Sequence, residues 1–213
     1  STHLLINVFP MTDFSDNNPT RPLPGEECGA FVISLDFELA WGTRGRPAAS
    51  KVGPYLDGAR DAIRVMLDLF EEFNVSATWA TVGALLMAQP GAQRRHRMIT
   101  NSRFSDIPAG DHISAPNWYA DDLLDQILRC SVPQEIGCHT LTHLYVNTQP
   151  EGCSELADEL DLFLELFEEL RLPRPRSFVF PKAYQAHFDL LAERNFYAYR
   201  GPEDRWYESL PGT

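Results

Sequence analysis

The segment Gly29-Ala-Phe-Val-Ile-Ser-Leu-Asp36 constrains the fold more than any other part of this chain. It is a near-continuous apolar run ending in a carboxylate, without the alternation of a strand that keeps one face wet. Such a run belongs to a strand buried on both faces, as in a parallel sheet. Further strand segments follow at Ser76–Val82, Gln134–Cys138, Ser177–Phe180 and Phe196–Tyr199. Helical stretches lie between them. From Gly58 to Phe73, Ile63, Met66, Leu67 and Phe70 fall on one stripe. Gly83 to Met87 opens a short helix, Asp121–Arg129 is helical, and another helix is expected around Tyr184–Arg194. Ser154–Leu170 is the clearest of all, with Leu156, Leu160, Phe163, Phe167 and Leu170 on one face. Its remaining positions hold seven acidic residues and no basic ones, which reads as a solvated face. Strand and helix alternate throughout, so the fold class is α/β, built from βαβ units around a parallel sheet, open or closed into a barrel.

Residues 1–29 read as a lead-in: His3–Pro10 is apolar enough for a strand laid on the domain, and Thr12–Glu27 is a loop rich in Asp, Asn and Pro. Residues 30–213 form the domain proper. Within it, 42–57 is a loop set by Gly and Pro, and 89–117 is a long polar excursion of the kind that sits over a site. The 213 residues include 44 % hydrophobic and 23 % charged side chains, enough for a sizeable core. The formal charge of −12 excludes a nucleic-acid binder, which needs a basic face, and suits an anionic membrane surface equally badly. No apolar stretch approaches the ~20 residues that span a bilayer. The first residues lack a basic segment joined to an apolar one, so no secretory signal is expected and the cytoplasm is the expected compartment. Cys28, Cys130, Cys138 and Cys153 form no Cys-x-x-Cys pair and are read as reduced thiols.

In parallel α/β folds, sites form at the carboxyl ends of strands. Two polar clusters hold that position here. Ser34-Leu-Asp36-Phe-Glu38 places two carboxylates two residues apart, on one face of a strand. His139-Thr-Leu-Thr-His143 places two imidazoles four apart, and a helical turn would put both within reach of one ion. Two neutral histidines and a carboxylate are a common open zinc set. Cys138 beside them is expected to face the core. His3, His96 and His112 are scattered, and His187 is read as a partly buried packing residue.

The stretch Ser34-Leu-Asp-Phe-Glu-Leu-Ala-Trp-Gly42 resembles the first motif of the NodB-type polysaccharide deacetylases (carbohydrate esterase family four), in its Asp-x-Glu variant. Ala77–Gly83 is similar to that family's second strand, and Glu135–His143 carries its second motif, His-Ser/Thr-x-x-His, in full. Ser177-Phe-Val-Phe-Pro-Lys182 stands where the third, Arg-x-Pro motif belongs. The resemblance runs from about residue 30 to 201. It implies a distorted (β/α) barrel and metal-dependent removal of acetyl groups from N- or O-acetylated sugars of a surface polysaccharide or its precursor. By position it makes Asp36 the catalytic base and Glu38, His139 and His143 the metal ligands. The metal is expected to be Zn²⁺, with Co²⁺ or Ni²⁺ as substitutes. Trp41 is read either as a wall of the site or as core packing, and Phe180 and Pro181 are expected beside the substrate.

The chain departs from that pattern in two places. The third motif's Arg, which orients the base, is missing, leaving Lys182 and Arg200 as the candidate cations. No Leu-x-His follows Gly201 to supply a general acid, so the sequence reads as cut and the barrel as incomplete at its C-terminal end. Three readings follow: a sugar deacetylase, an allantoinase-like hydrolase of another C–N bond, or an inactive barrel kept for sugar binding.

Overall fold

The computed structural model describes residues 6–8, 31–44, 53–87, 107–108 and 110–201. The loop expected at 12–27, the first part of the 89–117 excursion and everything after Gly201 lie outside the described residues. Six strands form one sheet: β1 (Ile6–Val8), β2 (Ser34–Phe37), β3 (Thr78–Thr81), β4 (Glu135–Cys138), β5 (Ser177–Val179) and β6 (Ala198–Arg200). Their order is β1-β6-β5-β4-β3-β2. The last five run parallel, as the alternation of strands and helices requires, and β1 joins β6 antiparallel. The helices are α1 (Gly53–Glu72), α2 (Asp121–Arg129), α3 (Pro150–Glu169) and α4 (Phe188–Glu193). α3 starts four residues earlier than the expected Ser154, because Pro150 suits a first helical turn. α4 is shorter than expected, because His187 sits in the left-handed region at φ 58° and the helix starts after it.

In a flat sheet β2 and β6 would stand about 19 Å apart, four spacings of about 4.8 Å. Yet the guanidinium of Arg200 on β6 reaches the Ser34 carbonyl on β2 at 3.2 Å. The sheet is therefore rolled into a half-barrel, the geometry of a distorted (β/α) barrel. Register sorts its two faces. The row Phe37, Thr81, Cys138, Phe178 and the row Leu35, Trp79, Ile136 face the helices. There they join Leu123 and Ile127 of α2 and Leu156, Leu160 and Phe163 of α3 in one core. The inner rows, Ser34-Thr78-Glu135 and Asp36-Ala80-Gly137, are small or polar. The first of these rows borders a cavity of about 430 Å³ inside the curl, which Ser177 and Arg200 also line. Thr78 Oγ1 donates to Glu135 there at 2.6 Å.

A buried arginine ties the outer layer together. Arg60 on α1 donates to the Pro116 and Tyr119 carbonyls (2.9 and 3.2 Å) and grips the Asp122 carboxylate bidentately (2.6 and 2.7 Å). Cys138 is fully buried on the core side, where desolvation pushes its thiol pKa well up. Cys130, Cys138 and Cys153 are free thiols, and Cys28 lies outside the described residues. Among the described residues no helix is long and apolar enough to cross a membrane.

Candidate metal centre

Three loops at the carboxyl ends of β2, β4 and β5 build one site. Each carries backbone strain. Leu39 (φ 41°) follows β2, Thr140 (60°) and His143 (59°) follow β4, and Lys182 (52°) and Ala183 (57°) follow β5. Non-glycine residues in this region cost about 1–3 kcal/mol each and persist only where the surroundings fix them. By contrast Asn74, Arg171 and Asn195, also at positive φ, simply end α1, α3 and α4.

The β2 loop supplies Glu38, which precedes a 3₁₀ turn at Leu39–Thr43. Its carboxylate lies against Gly42, and a Cβ at that position would overlap it. The glycine of this motif is thus the space the carboxylate occupies. The β4 loop supplies the histidines, although the expected helical turn is absent. His139 extends the ladder by donating its N–H to the Thr81 carbonyl (2.9 Å), and two left-handed residues then fold the chain back. Gly83 and Ala84 donate to the Thr140 and Leu141 carbonyls (3.1 and 2.8 Å), and Thr140 Oγ1 accepts the Leu144 N–H (2.8 Å). The result brings the two rings to 5.0 Å between centroids.

Glu38 Oε2 stands 2.9 Å from His143 Nε2 and 3.4 Å from His139 Nε2. His139 Nδ1 donates to the Val179 carbonyl of β5 at 2.8 Å, a backing bond that fixes the ring and turns Nε2 into the site. That Nε2 is buried and lacks a well-formed hydrogen bond of its own. Burial by itself would raise the Glu38 pKa. The two imidazoles facing its carboxylate outweigh that and hold it at about 2. One carboxylate oxygen and two Nε2 atoms within 4.8 Å of one another, one nitrogen an orphan, fit an open two-His, one-carboxylate ion site.

Asp36 and Arg200 meet at the edge of this site. Arg200 Nη2 donates to Asp36 Oδ1, and Nη1 donates to the Ser34 carbonyl and hydroxyl at 3.2 Å each. Of the two cations open to the missing Arg's place, Arg200 is the one beside Asp36. Lys182 goes elsewhere: its ammonium lies 4.2 Å from the centroid of the Tyr145 ring, which in turn sets its edge on His143 at 5.3 Å. The three residues expected along the substrate wall are enclosed in the structure. Trp41 is only 2 % exposed; its Nε1 donates to the Trp118 carbonyl (3.1 Å) and its ring packs edge-on against Trp118. Phe180 is also 2 % exposed, enclosed by Phe178, Phe188 and Tyr199. Pro181 is buried at the start of a 3₁₀ turn. All three are buried.

His187 is half-buried and pairs its Nε2 with the Asn147 carbonyl at 2.8 Å. His112, Asp121 and Asp122 form a second group, but Asp122 is committed to Arg60 and His112 Nδ1 to Asp121 (2.8 Å). Two residues not singled out in the sequence belong to the first site: Tyr145, two positions past His143, and Glu159 of the acidic helix.

The sequence matches no family model and no curated protein. Three solved structures are similar to it in fold at low identity. IcaB from Ammonifex degensii is 10 % identical, with 63 % of this chain and 52 % of that chain covered and a TM-score of 0.43. A CE4 family pseudoenzyme from Bacillus anthracis is 14 % identical over 78 % and 41 %, with a TM-score of 0.44. A Mycobacterium smegmatis protein named as a polysaccharide deacetylase is 17 % identical over 78 % and 48 %, with a TM-score of 0.49. The chain spans about half the length of these structures, or less.

Proposed function

We propose that this chain is a metal-dependent deacetylase acting on an acetylated carbohydrate. The observation that carries the reading is the convergence of Glu38, His139 and His143, with His139 Nε2 buried and unsatisfied, next to the Asp36–Arg200 pair. In this reading Glu38, His139 and His143 hold a divalent metal, Zn²⁺ by the chemistry of the donor set. The bound ion supplies acidification of water and polarisation of the acyl carbonyl.

The protein's own groups do the rest. The Asp36 carboxylate accepts the proton of the attacking water, and Arg200 fixes its orientation from the neighbouring edge of the curl. His139 is kept in one tautomer by the Val179 carbonyl, so that Nε2 stays free to ligate. Lys182 is the cation left to face the departing group, since Arg200 is committed to Asp36. None of Glu38, His139 or His143 lines the cavity inside the curl, which Arg200 borders.

A second reading, an inactive barrel that retains carbohydrate binding, is favoured by one observation. Among the described residues no third histidine joins the metal cluster to act as acid. One experiment separates the two: zinc content of the purified protein, measured beside acetate release from a panel of N- and O-acetylated sugars. Stoichiometric metal with acetate release supports the deacetylase. Metal without release from any sugar, but with retained sugar binding, supports the second reading. Absence of metal binding overturns the ligand assignment and the deacetylase reading with it.

A further inference from the structure

The acidic run of α3 looks uniform in sequence, but one of its members is not on the solvated face. Glu155 and Asp158 are exposed, whereas Glu159 is half-buried, next to Leu160 and one turn from Leu156 and Phe163 in the core. Its carboxylate straddles Thr142. Oε2 accepts the Thr142 N–H at 2.7 Å, and Oε1 accepts the Thr142 hydroxyl at 2.5 Å. Thr142 stands directly before His143, inside the turn that needs left-handed backbone at both Thr140 and His143.

The first half of that turn is tied to backbone donors of Gly83 and Ala84, and the Thr140 hydroxyl ties its own loop. The second half, which aims His143, is held by Glu159. The grip is charge-assisted and two-pronged, so it fixes Thr142 in direction as well as position. Because α3 is anchored by Leu156, Leu160 and Phe163, all fully buried, the grip has a rigid base.

We propose that Glu159 is a positioning residue for the metal centre: by clamping both polar groups of Thr142 from α3, it holds the strained turn that points His143 at Glu38. The proposal rests on the metal reading above, and its test separates the two. Co²⁺ is titrated into the metal-free parent, Glu159→Ala, Glu159→Gln, Thr142→Val and, as a control on the same helix, Asp158→Ala. Affinity, the visible absorption spectrum of bound Co²⁺ and the melting temperature of the metal-free form are recorded for each.

Glu159→Ala is expected to weaken Co²⁺ binding by about 10- to 100-fold, the range for groups that orient ligands, and to change the spectrum. Glu159→Gln keeps the acceptor for the Thr142 N–H and restores most of the affinity. Thr142→Val removes one prong, gives an intermediate loss, and adds little when combined with Glu159→Ala. Asp158→Ala binds like the parent. In the metal-free parent the Thr142 amide is protected from hydrogen exchange, and Glu159→Ala abolishes that protection. Parental affinity and spectrum in Glu159→Ala would overturn the proposal, even with a lowered melting temperature, since that is what a merely structural role gives. If Glu159→Ala does not fold, parental binding by Thr142→Val overturns it instead. A parent that binds no Co²⁺ removes the metal reading, and this proposal with it.

Discussion

Arg200 at the end of β6 donates to the carboxylate of Asp36 on β2, a bond between residues 164 positions apart that crosses the mouth of the curled sheet. The same guanidinium holds the Ser34 carbonyl and hydroxyl, so it is pinned from the β2 side at three atoms. A lysine in its place offers a point charge without the fork and loses that direction. Arg200→Lys is expected to lower kcat by up to about 10²-fold through misaligned geometry, with metal content unchanged. Asp36→Asn, which deletes the proposed base, is expected to cost about 10²–10⁴-fold, again with metal retained. Steady-state acetate release with parallel zinc analysis checks both; loss of zinc in Asp36→Asn would make Asp36 a ligand.

The ligand assignment predicts a different pattern for Glu38 and the histidines. Replacing His139 and His143 together with Ala removes two of three donors and should abolish stoichiometric metal. Glu38→Gln keeps the volume but removes the only anionic donor, and its zinc affinity should fall well below the parent's. Competition against a chelator of known affinity measures all three proteins. Unchanged affinity in Glu38→Gln would move the anionic ligand elsewhere, to Asp36 first.

Two glycines make a matched pair for stability. Gly42 faces the Glu38 carboxylate, and a Cβ there has no room. Gly42→Ala should therefore displace Glu38 and weaken metal binding. Gly58 is exposed within α1, and a Cβ there meets nothing within 4 Å. Gly58→Ala should leave metal binding alone and stabilise the protein by roughly 0.5–1 kcal/mol through helix propensity. Thermal melts and metal titrations on both variants distinguish crowding at the site from a general effect of alanine.

Much of this arrangement was legible in the sequence because it depends on short-range pattern. The run ending at Asp36, the strand before His139 and the stripe of α3 each announce their element through apolar spacing alone. The Asp36/Glu38 and His139/His143 clusters were readable because strand ends in a parallel sheet converge, while the choice of Glu38 over Asp36 as ligand came from the resemblance. The partner of Asp36 was narrowed to Lys182 or Arg200 but not decided, since the choice depends on how far the sheet curls. For Trp41 the sequence left site wall and core packing open for a related reason: adjacency to a motif does not say how deeply a side chain is enclosed, and both Trp41 and Phe180 are buried. Glu159 was hidden among like charges. Only the rotation of α3 about its axis, set by Leu156, Leu160 and Phe163, turns that one carboxylate toward Thr142.

Lys182 offers a test of what its unusual placement does. It is exposed, holds left-handed backbone, and carries no ion pair among the described residues. Its ammonium rests on Tyr145 instead. Lys182→Met keeps the length of the stem and deletes the charge. The expected outcome is a lower kcat, with zinc affinity and KM close to the parent's, because in the proposed reading the cation acts on the departing group rather than on binding. An unchanged kcat would leave Lys182 with a packing role only.

The depressed pKa of Glu38 gives the metal-free protein a specific acid response. Its carboxyl sits at about 2 in the folded state against an ordinary value of 4.5. A group whose folded pKa is lowered contributes stability that is complete above the unfolded value and drains away as pH falls towards the folded one. The window is therefore from about pH 4.5 down to about pH 2, and the slope for one proton is at most about 1.4 kcal/mol per pH unit. Denaturant unfolding of chelator-treated parent and Glu38→Gln across that range measures it. The parent should be the more stable at pH 5, and the difference should shrink steadily on acidification, because Gln has no proton to gain. The Asp36–Arg200 pair is present in both proteins and cancels in the comparison. A difference that stays constant from pH 5 to pH 2 would mean that the imidazoles do not hold Glu38 ionised, and that the close approach of these three side chains forms only once an ion draws them together.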